Sequence, residues 1–135
     1  MATFVLTDAS VTVNSVDLST YVTSVTLNYE KDSVEVTAMG SSGHLFTGGL
    51  QNISLDVTFN QDFAATKVAA TLDALIGSTT TVVVKPTSAA VSATNPSYTI
   101  SSAFLAGTQP VAGSVGDLAQ MSVSFTGGTL VKATS

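Results

Sequence analysis

The chain alternates. In SVTVN, from Ser10 to Asn14, and again in YVTSVTLNYE, from Tyr21 to Glu30, apolar and hydroxyl side chains take turns. That is the period of two of a half-buried β-strand. In the second stretch Tyr21, Thr23, Val25, Leu27 and Tyr29 share one face, and Val22, Ser24, Thr26 and Asn28 the other. The polar run Glu30 to Ser33 reads as a turn, and SVEVTAM then predicts a strand with Val34 and Val36 inward. NISLDVTFNQ, residues 52–61, sets Ile53, Leu55, Val57 and Phe59 on one face. Further strands are predicted over Thr79 to Pro86 and over YTISSAFLAG, with Tyr98, Ile100, Ser102 and Phe104 on one side. A third is predicted over AQMSVSFTG, with Met121, Val123 and Phe125 together. TLVKATS at the end is either a short strand or a loose tail.

One segment changes period. Val68, Leu72, Leu75 and Ile76 recur at helical spacing with alanines between them. Asp62 suits an N-cap and Gly77 a C′ position. The spacing predicts a helix over 62–76, about 22 Å long at ~1.5 Å per residue. Roughly eight strands and one helix predict a mainly β fold, a sandwich or small barrel with the helix at its flank. The 135 residues form one domain, 1–135, with no internal repeat and no linker.

Between two strands lies MGSSGHLFTGGLQ, from Met39 to Gln51, which breaks the alternation. This arm holds four glycines, the sole histidine, His44, and the apolar residues Met39, Leu45, Phe46 and Leu50. Its glycines read as points of flexibility and positive φ. Its apolar side chains either fold back to cap the core or dock on another subunit; long loops that are neither tight hairpins nor disordered tend to be functional.

Composition narrows the function. Charged residues are only 10% of the chain: four lysines, no arginine, seven aspartates and two glutamates, for a net charge of −5. Nucleic-acid binding needs clustered Lys and Arg to neutralise phosphates, and there are no such clusters. So few charges leave a bland surface, of the kind partners cover, and strands such as Thr79 to Lys85 and Met121 to Thr126 lack the charges that discourage edge pairing. No apolar run approaches the ~18 residues of a membrane span. MATFVLTDAS has neither the basic start nor the apolar core of a secretory leader. Without cysteine there is no thiolate chemistry and no disulfide.

Catalytic signatures are weak. His44 has no nucleophile-elbow motif to accompany it, and surface loops often carry one histidine. A single histidine and scattered carboxylates do not converge as metal ligands would. GSSGHLFTGG leads into a strand and lacks the lysine of a phosphate loop. No cofactor is expected.

Taken together, VDLSTYVTSVTL, the acidic YEKDSVEVTAMG, GHLFTGGLQNISLDVTFNQDF, the helix ending LDALIG, TVVVKPTSAAVSATNPSYT and PVAGSVGDLAQMSVSF resemble the tail tube (major tail) proteins of bacteriophages with long non-contractile tails. The resemblance covers nearly the whole chain. It implies a structural virion protein, not an enzyme, assembled in the host cytoplasm. Six copies would form a ring whose sheets join, and rings would stack into a hollow tube. The implied partners are other copies of itself, the tape measure protein in the lumen, and tail tip (initiator) and terminator proteins. DNA would pass through without specific binding, and no membrane is involved. The arm would be the loop that reaches a neighbouring subunit, with Met39, His44, Leu45, Phe46 and Leu50 as interface residues. The alternatives are another phage structural β-protein (tail terminator, head–tail connector or capsid decoration) or a carbohydrate-binding β-sandwich. The absence of Trp weighs against a sugar-stacking platform.

Overall fold

The computed structural model describes residues 5–64 and 67–134. Residues 1–4, part of the opening segment expected not to be a secretory leader, lie outside the described residues, as do 65–66 of the expected helix and Ser135 of the expected tail.

Among the described residues eight strands form one antiparallel sheet: β1 (Ser10–Val13), β2 (Val16–Asp17), β3 (Val22–Glu35), β4 (Phe46–Asn60), β5 (Ser78–Lys85), β6 (Ser97–Leu105), β7 (Gln120–Thr126) and β8 (Thr129–Ala133). The order across the sheet is β2-β1-β5-β6-β7-β4-β3, with β8 also on β6. The mainly β architecture with one short helix is as expected. β1 and β2 form a hairpin through Asn14 and Ser15, both at positive φ (50° and 67°), which is the two-residue turn whose twist matches antiparallel strands.

The sheet curls at one corner. β6 pairs with β8 along Ser97–Ser101 and with β7 only at Phe104 and Leu105. The switch of partner falls at Ser102, which has φ 61°, where an extra β6 residue interrupts the ladder with β5. Opposite it, Gly127 and Gly128 carry the chain from β7 into β8, and the Gly127 N–H donates to the Ile53 carbonyl at 2.9 Å. Curled this way, the sheet buries one continuous core. Ile53, Leu55, Val57 and Phe59 of β4 and Met121, Val123 and Phe125 of β7 lie inward, as their alternation predicts. Val11, Val13, Val82, Ile100 and Leu105 complete it from the other half of the sheet, and Leu18, Val68 and Leu72 cover it. Fully burying each such side chain contributes about 1.5–3 kcal/mol.

Several expectations are corrected. The extra residue at Ser102 turns β6 over, so Ala103 and Leu105 are buried while Phe104 is exposed. Tyr21 ends a 3-10 turn, Ser19–Tyr21, and does not open the strand, and an irregularity follows between Val22 and Ser24; Tyr21 and Val22 both pack on the core. The helix α1 spans only Val68–Asp73, shorter than the expected 62–76. Asp62 is not its N-cap. Its carboxylate accepts from the Ala64 N–H and the Tyr21 hydroxyl, both at 2.9 Å, and so closes a separate turn. These bonds hold its carboxyl below the usual carboxylate range, the Ala64 N–H first and the Tyr21 hydroxyl second. At the other end the chain tightens: the Leu75 N–H donates to the Leu72 carbonyl, and Gly77, at φ 80°, turns into β5. The C-terminal stretch forms strand β8.

Glu30 to Ser33 is not a turn. β3 runs straight through it, paired with β4 from Val22 to Glu35. The ladder with β4 continues there beyond the core, with both faces of the two strands in solvent.

Candidate assembly surface

The expected arm is therefore the end of a long hairpin. β3 has 14 residues and β4 has 15, and every residue from Tyr29 to Leu50 is solvent-exposed. At ~3.3 Å per residue, the paired stretch from Glu30 to Glu35 carries the hairpin roughly 17 Å beyond the core. Phe46 to Leu50, expected within a flexible loop, belong to β4. Only residues 36–45 connect the strands, and they are tied down as well. The Val36 N–H donates to the Leu45 carbonyl and the Leu45 N–H to the Thr37 hydroxyl, both at 2.8 Å. The Thr37 hydroxyl donates to the Glu35 carboxylate at 2.9 Å, and His44 Nδ1 lies 2.6 Å from the same carboxylate oxygen, Oε2.

Pairing sorts the arm into two faces. Cross-strand partners point the same way, so Phe46 shares a face with Glu35, and with His44. Val34, Val36 and Leu45 fall on the other. Val34 and Val36, predicted to be inward, are about half exposed because no core lies beneath this part of β3. Leu50 stands at a bulge, where Gly49 and Leu50 of β4 oppose only Asp32 of β3. Gly49 serves close approach there: a Cβ would come within 3.1 Å of the Val34 side chain and 3.3 Å of Asp32. Gly40, at φ 93° in the connection, is the arm glycine that meets the positive-φ expectation.

All five expected residues, Met39, His44, Leu45, Phe46 and Leu50, are thus on one projecting element and exposed. Sequence reasoning missed Tyr29, Val34 and Val36 as exposed members of the same element. It also missed a second apolar surface, Val111, Val115 and Leu118 in the β6–β7 connection. The signal was present there as apolar residues set between glycines.

The His44–Glu35 pair sits in the open, with side chains 78% and 50% exposed. A pair this wet lacks the water exclusion that gives catalytic electrostatics their strength. Among the described residues no three His, Asp or Glu side chains group as metal ligands would. Among the described residues no helix is long and apolar enough to cross a membrane.

The back of the same sheet is different in kind. Ser24, Thr26 and Asn28 of β3 lie beside Thr58, Asp56 and Ser54 of β4, which lie beside Ser122, Ser124 and Thr126 of β7. These nine side chains carry a single charge, the Asp56 carboxylate, in a shallow hydroxyl-lined surface.

No protein family and no curated protein matches the sequence significantly. Solved structures do match in shape. A chain of the virion of the native gene transfer agent particle superposes with a TM-score of 0.72 at 13% identity, covering 93% of this chain and 95% of that one. A chain of the sheath/tube terminator of an extracellular contractile injection system, PVC, in its extended state gives 0.71 at 13% identity, covering 96% of each. The SPP1 tail tube gives 0.70 at 12% identity, covering 95% of this chain and 77% of that one. The fold is the tail-tube fold. At these identities the likeness speaks for the fold, and function has to be argued from this chain's own surfaces.

Proposed function

We propose that the chain is a structural subunit of a phage tail tube, which assembles through its β3–β4 arm into rings that stack around a channel. The observation that carries this reading is the arm itself: a tail-tube fold extends two paired strands past its core, with Phe46 and Leu50 on β4 and Met39 and Leu45 on the connection, all in solvent. An ordered apolar projection costs solubility in a monomer and finds its use when a second subunit covers it. Met39, His44, Leu45, Phe46 and Leu50 are the proposed interface residues. Rings also resolve the sheet's open edges, since closure leaves no strand unpaired.

The hydroxyl face of β3, β4 and β7 suits a channel wall. It offers no cation to hold phosphates, and its one carboxylate per subunit repels them. DNA would slide past such a wall and a tape measure protein would lie against it without being gripped. Six subunits per ring, and tip and terminator proteins at the two ends, complete the proposal. The role is structural and needs no cofactor.

Negative-stain electron microscopy of the purified protein, with light scattering and with preformed tail tips added in parallel, tests this. Hollow tubes or stacked rings are the expected result. Discrete rings that never stack would move the assignment to a terminator or connector. A chain that stays monomeric at high concentration even with tail tips would overturn the assembly role.

A further inference from the structure

We infer that the arm of one copy seats its apolar side chains in the open seam of a second copy, a groove between strand β3 and the β5–β6 rim. This rests on the tube reading above and adds the receiving surface to it.

The groove is lined chiefly by Leu6, Val25, Leu27, Val84, Pro86 and Tyr98 and encloses about 180 Å³. Pockets for drug-sized ligands run to about 300–1,000 Å³; this one suits one or two apolar side chains. It exists because β3 is an edge strand, paired only with β4. Its inward Val25 and Leu27 face β5 and β6 across a gap that no strand bridges. Side chains packed on the core are therefore reachable from outside at this seam.

The occupant is another copy because the chain's own arm cannot reach. Phe46 pairs with Glu35, eight residues along β3 from Leu27, which is roughly 26 Å at ~3.3 Å per residue. The paired hairpin carries Leu45 and Phe46 away from the seam of their own subunit.

Charge says which surface fits. The chain has only four lysines. Lys85 lines the groove, and Lys132 lies 6.0 Å over the ring of Tyr98, its neighbour on β6. Among the described residues neither forms an ion pair; Lys85 Nζ donates to the Ala89 carbonyl. Lys85 attracts Asp17 of its own chain, and the Asp17 and Asp8 carboxylates are both hydrogen-bonded within the chain. Asp17 accepts from the Ser19 N–H at 2.9 Å, and Asp8 from the Ser88 hydroxyl at 2.8 Å. The arm is acidic, with Glu30, Asp32 and Glu35 against Lys31. An apolar tip with an acidic stem meets an apolar groove with a basic rim, and such complementarity fixes which surface is chosen.

The chain has no cysteine, so engineered thiols report contacts without background. F46C and L6C would be made as two separate proteins, mixed, assembled and oxidised. A disulfide-linked dimer that forms in the mixture, and in neither protein alone, is the expected result. The companion test is charge reversal. D32K or K85E alone should raise the concentration needed for assembly about tenfold, the effect of one interface charge pair, and the two together should restore it. Polymers without the mixed disulfide, or a double charge variant no better than the singles, would overturn the groove and leave the tube reading intact. Failure of the unsubstituted protein to polymerise would overturn both.

Discussion

Gly128 packs directly against the Ser101 carbonyl oxygen, leaving no room for a β-carbon. Its φ of 90° is also one that other residues adopt only under strain. This contact turns the chain from β7 into β8 beside the point where Ser102 interrupts β6, and so lets one sheet curl around one core.

Gly128→Ala should therefore be more damaging than Gly127→Ala. Both place a side chain at positive φ, but a Cβ at Gly127 meets open space. Urea denaturation should show a loss of about 1–2 kcal/mol for Gly127→Ala, from backbone strain alone. Gly128→Ala should lose at least about 1–3 kcal/mol more, as overpacking does. Equal losses would mean the corner is looser than described.

The turned-over half of β6 makes a second contrast. Leu105 is fully buried and Phe104 is 40% exposed, the reverse of simple alternation from Ile100. Leu105→Ala should cost about 2–5 kcal/mol and Phe104→Ala less than about 1 kcal/mol, measured on the same unfolding curves.

Asp62 gives a pH dependence. Its folded-state pKa is lowered, first by the Ala64 N–H and then by the Tyr21 hydroxyl. A depressed carboxyl contributes stability above the unfolded value, near pH ~3.9 for Asp, and loses it as pH falls through the folded value. Thermal unfolding from pH 6 down to 2 should show the wild type losing stability in the acid range. Asp62→Asn should lose less over the same interval. Parallel curves would remove Asp62 from the account.

Arm variants should separate folding from assembly. Leu45 and Phe46 touch solvent more than protein, so Leu45→Asp with Phe46→Asp should leave monomer stability within about 0.5 kcal/mol. The same pair of changes should abolish polymers in electron micrographs. Full-length tubes from the double variant would exclude these side chains as assembly contacts.

Much of the molecule was legible because solvent and core enforce a period. β4 and β7 are paired along seven residues with one face wet, so Ile53 to Phe59 and Met121 to Phe125 read inward at once. Where two residues oppose one, as at Ser101 and Ser102, the period slips by one position, and nothing in YTISSAFLAG marks the slip. Asp62 looked like a helix cap because its side chain does cap a turn, but the partner that fixes that turn is Tyr21, 41 residues away. The arm was legible as a place and as a set of residues. Its form was not: Glu30 to Ser33 has the composition of a turn, yet pairing with β4 supplies hydrogen bonds that local composition does not register.

The sequence by itself determined which side chains are apolar, where they alternate, and how scarce charge is. These decide a mainly β fold and an assembly-prone surface, because they follow from local geometry and transfer from water. The tertiary structure alone decided that β3 and β4 outrun the core, that Val34 and Val36 face solvent, and that Lys85 and Lys132 border one seam. Each of those depends on which strands come to lie side by side, and pairing between distant segments is set by the whole sheet closing on its core.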